Sequence, residues 1–507
     1  MSVSATMVFH SAQALADFAA ELSLFARPGM VILLQGELGA GKSTLARAFI
    51  QALAPAGLEL DVPSPTFTLI QTYDETRVAV AHADLYRLTS DAELDEMGID
   101  DLLDSHVLLA EWPERIIGRS WPDLLLVELA GTGATRTASV IARGAWAQAM
   151  QRNGSIAKFL AGAGWQDAKR TFLEGDASFR RYETLTDGGR DAILMDMPER
   201  PDGPAVRDGK PYSAIAHLAE DIRAVVAINA ELVARGYSAP KTEAFDLDEG
   251  LAVIEDLGDQ VYGRMMLAGA DMRQPMAAAV AVLADMAGSE WPTNVNIDGH
   301  QTYQVPRYDI AAQLIEIDLL PSWFWPHVLG DEIPASRRTE FEAIWTGLLP
   351  HTQPDRPVWA LRDYHSPNLL WLPDRQGIRR VGLIDTQDCL MGHPAYDLAS
   401  MLQDARVDIP FAMADELFEI YCGLRRAQGA FDRQAFEIAY ALLGAQRATK
   451  ILGIFARLSK RDGKHGYLRH MPRVSRYLER NLQQQALAPL KTWFDIHLPA
   501  SLRESQA

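Results

Sequence analysis

The chain has 507 residues, of which 48% are apolar and 23% are charged, and its net charge is −19. This length predicts two to four domains, and the composition is ordinary for a globular protein. The acidic balance disfavours direct, stable binding of nucleic acid, which needs clustered Lys and Arg. The chain shows no signal-peptide pattern and no apolar run of about 18 residues, so we expect no membrane span. Cys389 and Cys422 form no metal or disulfide pattern, and we predict a cytoplasmic protein.

The first predicted elements surround a glycine-rich loop. The apolar run 30–34 predicts a buried strand, and a helical pattern runs over 44–54. Further strands are predicted at 67–73, 78–84, 107–112, 124–129 and 137–142, and a short helix at 91–97. Alternating strands and helices around such a loop predict an α/β P-loop NTPase domain with strands buried on both faces.

The loop between this strand and helix reads Gly-Glu-Leu-Gly-Ala-Gly-Lys-Ser. In this pattern, glycines let backbone N–H groups close on phosphates, the Lys reaches the β- and γ-phosphates, and the Ser binds Mg²⁺. The candidate nucleotide-binding residues are Gly36, Gly39, Gly41, Lys42, Ser43 and Thr44. The loop alone therefore predicts a nucleoside triphosphate with Mg²⁺, and we expect that nucleotide to be ATP. A GTPase is a weaker interpretation, because the chain has no Asn-Lys-x-Asp motif.

Three further clusters accompany the loop. They are Ser-Pro-Thr-Phe at 64–67, His-Ala-Asp-Leu-Tyr-Arg-Leu at 82–88 and Glu-Trp-Pro-Glu at 111–114. Together with the loop they resemble the small ATPase subunit of the bacterial complex that makes tRNA threonylcarbamoyladenosine. The resemblance covers about residues 8–142, and it implies that the partners are the other proteins of that complex.

The same resemblance implies roles for four residues. It puts Thr66 on a switch loop near Mg²⁺ and makes Asp84 the second acidic metal contact. It puts Glu111, as a catalytic residue, and Trp112 beside the nucleotide. By residue type alone, Trp112 also fits a core position and Glu111 a solvated strand end.

The sequence pattern changes near 143–155, where we predict a short link between a first domain, 1–145, and a second, 155–507. The second begins with a β-rich small lobe, about 155–258, and one long helix from about 215 to 232. A helical lobe, about 259–507, follows. This arrangement predicts an α+β, two-lobed, protein-kinase-like fold. Helices are predicted at 276–287, 308–319, 337–348, 411–427 and 433–459.

The loop Leu-Arg-Asp-Tyr-His-Ser-Pro-Asn at 361–368 carries Asp363 and Asn368, and the next strand but one ends at Asp385. Phosphoryl transfer needs an acceptor for the hydroxyl proton and ligands for Mg²⁺ on ATP. Asp363 fits the first role, and Asn368 with Asp385 fits the second. We interpret His365 and Asp397 as residues that brace this loop.

The loop resembles that of the aminoglycoside phosphotransferase family, whose members phosphorylate hydroxyl groups of small molecules. Five stretches resemble, in more detail, the anomeric kinases for N-acetylmuramate and N-acetylglucosamine of cell-wall recycling. They are 175–182, 194–198, 255–258, 362–368 and 453–458. This resemblance implies transfer of the ATP γ-phosphoryl group to the C1 hydroxyl of an amino sugar. It places Ser178 and Arg180 at the nucleotide.

The strand at 192–197 lacks the lysine that protein kinases use to pair the ATP phosphates. Arg180, Arg181 and Lys210 are candidates for that role. Two alternatives stay open for the second domain: a kinase with another acceptor, such as an aminoglycoside or a choline-like alcohol, or a regulatory domain without turnover. Aromatic residues of the helical lobe fit a sugar-stacking wall or, more commonly, a core. They are Trp291, Tyr303, Trp323 and Trp325.

Overall fold

A computed structural model describes residues 2–88, 93, 96–115, 119–131, 133, 135–173, 180–199 and 203–504. It divides into two compact units: residues 1–176 with 182–191, and residues 177–181 with 192–507. Among the helices so described, none combines the length and apolarity that crossing a bilayer requires.

The first unit is built on one mixed sheet with the strand order β1-β7-β6-β2-β5-β4-β3. Strand β2 pairs in parallel with β5 and β6, and β4 pairs in parallel with β5. The strands β2, β4 and β5 are apolar and almost fully buried, as predicted for strands covered on both faces. The seven strands are β1 (Ser2–Phe9), β2 (Val31–Gly36), β3 (Ile70–Tyr73), β4 (Val80–Asp84), β5 (Val107–Glu111), β6 (Leu124–Ala130) and β7 (Arg136–Arg143).

The helices described in this part of the chain are α1 (Ala12–Ser23), α2 (Lys42–Leu53), α3 (Ile99–Leu103) and α4 (Ala145–Gly162). The prediction of a short link at 143–155 is therefore wrong, because the helix α4 runs through this stretch. Trp146, Ile156 and Leu160 of α4 are buried and share one helical face, whereas the polar residues that suggested a link lie mostly on the other side. The domain boundary itself stays a prediction. The helix predicted at 91–97 lies largely outside the described residues.

The predicted strand pair around 174–182 is present as β8 (Lys169–Leu173) and β9 (Arg181–Asp187), which pair antiparallel. Strand β10 (Arg190–Asp196) pairs with β14 (Leu251–Glu255), and β14 pairs with β13 (Thr242–Asp246). Two short strands lie between, β11 (Ala205–Arg207) and β12 (Lys210–Pro211).

The long helix predicted over 215–232 is instead two helices, α5 (Tyr212–Ala216) and α6 (Arg223–Ala234). His217 adopts a left-handed conformation with φ of 53° and ends α5, so the chain changes direction within an apolar pattern that reads as continuous.

After β14, the second unit is mainly helical, as predicted. Its longest helix, α14, spans 30 residues and contributes to two apolar clusters. The helices are α7 (Tyr262–Leu267), α8 (Arg273–Gly288), α9 (Ile310–Ile317), α10 (Trp325–Leu329), α11 (Ala335–Leu348), α12 (Ala395–Leu402), α13 (Phe411–Ala427), α14 (Arg433–Asp462), α15 (Met471–Asn481), α16 (Ala488–His497) and α17 (Ala500–Arg503). The short strands are β15 (Asn294–Asn296), β16 (Thr302–Gln304), β17 (Val358–Ala360), β18 (Leu369–Trp371), β19 (Val381–Leu383) and β20 (Leu390–Gly392).

Candidate active sites

The glycine-rich loop lies between β2 and α2, at the edge of the sheet where the parallel strands β2, β4 and β5 all end. Gly36 has φ of 139°, and a Cβ there would lie 2.2 Å from the Leu129 carbonyl oxygen, so only glycine fits. Lys42 Nζ donates to the carbonyls of Gly36 at 2.7 Å and Glu37 at 3.0 Å. Burial lowers the pKa of Lys42, which the charge of Glu111 partly opposes. The loop thus holds a lysine against its own carbonyls, ready for exchange onto phosphate oxygens.

Glu111, at the end of β5, joins the loop to the neighbouring strand. Its carboxylate accepts from Ser43 Oγ at 3.1 Å, and its other oxygen lies 3.2 Å from His82 Nε2. Both Glu111 and His82 are buried, which excludes the alternative of a solvated strand end for Glu111.

Asp84, at the end of β4, binds the hydroxyl groups of two residues of the predicted switch loop. Asp84 Oδ2 accepts from Thr66 Oγ1 at 2.8 Å and lies 3.3 Å from Ser64 Oγ. Trp112 follows β5 with φ of 63°, and its ring lies 3.6 Å from Lys42 Nζ. The ring is only partly buried, so Trp112 faces the loop and is not a core residue. Hydroxyl and carboxylate oxygens are the ligands that Mg²⁺ prefers, so this donor set fits that ion.

In the second unit, the loop after β17 and the end of β19 bring the three predicted catalytic residues together. Asn368 Nδ2 donates to the Asp363 carbonyl at 3.1 Å and lies 3.4 Å from Asp385 Oδ2. Asp385 has φ of 60°, in the left-handed region that side-chain-bearing residues adopt only occasionally. The amide and carboxylate oxygens of Asn368 and Asp385 are a donor set that fits Mg²⁺.

Asp363 is partly buried, and within the described part of the chain no group donates a hydrogen bond to its carboxylate. Burial opposes its ionisation, but the nearby charges of His365, Lys450, Arg362 and Arg447 together hold its pKa below the ordinary value. Asp363 therefore offers an ionised, unoccupied acceptor for a proton.

Buried carboxylates brace the catalytic loop from below, as predicted for Asp397. Asp397 accepts from the backbone N–H groups of Leu361 at 2.6 Å and Arg362 at 2.9 Å. Burial raises the pKa of Asp397 to about 7. Asp404 accepts from the N–H of Ser366 at 2.8 Å, a role the sequence did not indicate. His365 Nδ1 lies 2.8 Å from the Asp363 carbonyl oxygen, in agreement with a bracing role.

Of the three candidates for the role of the missing lysine, Arg180 contacts one of the catalytic residues. Its Nη1 lies 2.5 Å from Asp385 Oδ1. Arg181 instead pairs with Asp196 at 2.9 Å, and Lys210 is exposed on β12. Ser178 lies outside the described residues. Thr44 is exposed on α2, and within the described residues its hydroxyl makes no hydrogen bond that would assign it a role.

The aromatic residues of the helical lobe fit the core interpretation where they are most buried. Trp291 stacks on Trp359 with ring centroids 4.6 Å apart, and Trp325 packs near Trp493 at 6.1 Å. Tyr303 and Trp323 are partly buried against the same apolar clusters.

Two family models match this chain. Residues 169–437 match the model described as the phosphotransferase enzyme family, and this match covers more than half of the chain. The chain belongs to the phosphotransferase enzyme family. Residues 9–138 match the model of threonylcarbamoyl adenosine biosynthesis protein TsaE, so a TsaE domain precedes the phosphotransferase domain.

Relatives of both parts carry names. A Caulobacter vibrioides protein named N-acetylmuramate/N-acetylglucosamine kinase is 39% identical over 362 residues, which are 70% of this chain and 98% of that protein. A protein of the same name from Neisseria meningitidis is 30% identical over 64% of this chain and 89% of its own length. A Rickettsia felis tRNA threonylcarbamoyladenosine biosynthesis protein TsaE is 39% identical over 20% of this chain and 59% of its own length.

These matches confirm the predicted fold classes and the two resemblances on which they depend. They also confirm that the chain is an enzyme of the phosphotransferase family, which makes a purely regulatory second domain the weaker interpretation.

Proposed function

We propose that the phosphotransferase domain uses ATP to phosphorylate the anomeric hydroxyl of N-acetylmuramate or N-acetylglucosamine, in peptidoglycan recycling. The carrying observation is the grouping of Asp363, Asn368 and Asp385 in a chain that spans 98% of a relative named for this kinase activity.

In the proposed reaction, the C1 oxygen of the sugar attacks the γ-phosphorus, and a new O–P bond forms. The bond from this phosphorus to the β–γ bridging oxygen breaks, and ADP leaves with that electron pair. Asp363 accepts the hydroxyl proton, and its lowered pKa keeps it ionised for this step. Asn368 and Asp385 would hold Mg²⁺, which would neutralise charge on the phosphates. Arg180 and Ser178 contact the nucleotide.

We propose that the TsaE domain is an ATPase that supports threonylcarbamoyladenosine formation at position 37 of tRNA. Gly36, Gly39, Gly41, Lys42, Ser43, Thr44 and Trp112 bind the nucleotide in this proposal. Ser43, Thr66 and Asp84 would hold Mg²⁺. Glu111 would be the catalytic residue, a role that its hydrogen bond with Ser43 supports. The domain acts with protein partners in the cytoplasm, and we expect the acidic chain to make no direct, stable contact with nucleic acid and none with a membrane.

A panel of acceptors tests the kinase proposal. The purified chain is incubated with Mg-ATP and N-acetylmuramate, N-acetylglucosamine, an aminoglycoside or choline, and the products are read by phosphorus NMR. A phosphate on the anomeric carbon of an N-acetylated amino sugar is the expected result. Phosphorylation of the aminoglycoside or choline alone would replace the acceptor, and no product from nucleotide-binding protein would favour the regulatory interpretation.

A further inference from the structure

A carboxylate that no sequence motif singled out lies under the catalytic loop. Glu316, near the end of α9, is fully buried at 0% exposure. It accepts from Tyr308 Oη at 2.5 Å, Gln446 Nε2 at 2.8 Å and Lys450 Nζ at 2.9 Å, and it pairs with the Arg362 guanidinium. Two cations therefore share one buried carboxylate. Burying these charges costs desolvation free energy, which only close pairing and further hydrogen bonds offset.

One of these cations immediately precedes the catalytic Asp363. Arg362 has φ of 71°, a backbone conformation that a long side chain rarely adopts. Its guanidinium donates to the Ala216 carbonyl at 2.9 Å and to Glu316, while its backbone N–H donates to Asp397. Anchoring at both the backbone and the side chain maintains a conformation that would otherwise relax, and this conformation fixes where the next residue, Asp363, points.

The second cation, Lys450 on α14, donates to the same carboxylate at 2.9 Å. With Glu316 and Arg362 it forms a cluster that holds two positive charges and one negative charge. This cluster joins α9 and α14 to the catalytic loop at Arg362.

We propose that Glu316 is a positioning residue for phosphoryl transfer, which holds the Arg362 side chain in place so that the backbone at Arg362 orients the Asp363 carboxylate. The inference rests on the proposed kinase function, whichever acceptor the chain uses. If the cluster only stabilised the helical lobe, mutating it would lower stability without a selective effect on turnover. The variants below separate the two roles.

The first variant is Glu316→Gln, which keeps the shape of the side chain and removes its charge. We expect kcat to fall at least tenfold, with the KM values for ATP and acceptor changed less than threefold, because substrate contacts remain. The matched control is Arg503→Met, which removes another fully buried arginine of this unit, one that donates to the Leu498 carbonyl at 2.7 Å and pairs with Glu479. A kcat for Glu316→Gln no lower than that of the control, at a temperature where both are folded, would overturn the inference.

The second pair of variants is Arg362→Met and Arg362→Lys, which decide the case if Glu316→Gln does not fold. Without the guanidinium, residue 362 no longer joins Glu316 to the Ala216 carbonyl, so kcat should fall at least tenfold in Arg362→Met while the KM values change less than threefold. The lysine variant, which keeps a cation for Glu316, should recover part of the loss. A wild-type kcat in Arg362→Met would overturn the inference alone, whereas no turnover by the wild-type chain on any acceptor would overturn the proposed kinase function too.

Discussion

Ser43 Oγ donates a hydrogen bond to Glu111 Oε2 across 3.1 Å, which joins the phosphate-binding loop to the end of the adjacent parallel strand. A carboxylate held in this way is placed to act on a nucleotide bound by the loop. We therefore expect Glu111→Gln to lower ATP hydrolysis by the TsaE domain about 100-fold, the usual scale for losing a proton-transfer group, with nucleotide binding retained.

Phosphate release measures this effect in an Asp363→Asn background without acceptor, with and without the protein partners of the domain, so that the kinase does not contribute. Glu128→Gln, an exposed change on β6, is the control. Hydrolysis by Glu111→Gln at the control rate would remove Glu111 from the catalytic role.

The two ATP-using sites should be separable by mutation of Lys42. Because Lys42 donates only to carbonyls of its own loop, Lys42→Ala should abolish nucleotide hydrolysis by the TsaE domain. Formation of sugar phosphate should stay within twofold of the wild type, as followed by phosphorus NMR. Lys158→Ala, on the exposed face of α4, is the control. Loss of both activities in Lys42→Ala alone would mean that the two sites are coupled.

Asp363→Asn should cut sugar phosphorylation by about 10²- to 10⁴-fold, because the acceptor hydroxyl loses its proton acceptor. Nucleotide binding, measured by isothermal titration, should be unchanged, since Asn368 and Asp385 remain. Asp374→Asn, in the exposed turn after β18, serves as the control. Near-normal turnover of Asp363→Asn would eliminate the proposed base.

Arg180 should carry the phosphate contact that β10 lacks. Its guanidinium lies 2.5 Å from Asp385 Oδ1, so it can exchange that carboxylate for the phosphates of bound ATP. Arg180→Ala should raise the KM for ATP about tenfold, the effect of losing roughly 1.4 kcal/mol of binding, and Arg180→Lys should restore part of it. Arg190→Ala, at an ion pair with Asp187, is the control. Equal KM values for ATP in Arg180→Ala and the control would show that Arg180 does not contact the ATP phosphates.

The stability of the phosphotransferase domain should depend on pH through Asp397. Burial raises its folded-state pKa to about 7, from the ordinary value of 3.8 for an aspartate. Between these values the folded protein holds a proton that the unfolded chain has released, so stability falls as the pH rises towards 7 and then levels off. The free energy of unfolding of the wild type, relative to Asp397→Asn, should therefore fall by up to about 1.4 kcal/mol per pH unit between pH 5 and 7.

Denaturant unfolding at fixed pH values provides this comparison. In the wild type, the Asp397 carboxylate accepts hydrogen bonds from two backbone N–H groups. A pH-independent difference between wild type and Asp397→Asn would show that the carboxyl titrates normally.

Local motifs made much of both sites predictable. The loop at 36–43 has a pattern in which each residue type has a distinct task, and parallel strands bring Asp84 and Glu111 to the edge where that loop lies. The spacing from Asp363 to Asn368 and the strand before Asp385 likewise reflect a short, continuous piece of structure.

Contacts between segments that are distant along the chain could not be predicted from the sequence. Glu316 and Arg362 are separated by 46 positions, and nothing in the helix around Glu316 distinguishes an acid that binds a cation from one that faces solvent. His82 meets Glu111 only because their strands pair in parallel. The helix α4 was missed because a helix with one buried face and small polar residues on the other resembles a linker in composition.

Lys42 Nζ lies 3.6 Å from the centre of the Trp112 ring, so the fluorescence of Trp112 should report nucleotide binding. An ammonium group over an indole perturbs its fluorescence, and nucleotide binding should draw that group away towards phosphate. Although the chain has 11 tryptophans, the difference in emission between wild type and Trp112→Phe isolates this ring. Occupancy of the TsaE domain can thus be titrated without a label while the kinase turns over in the same cuvette.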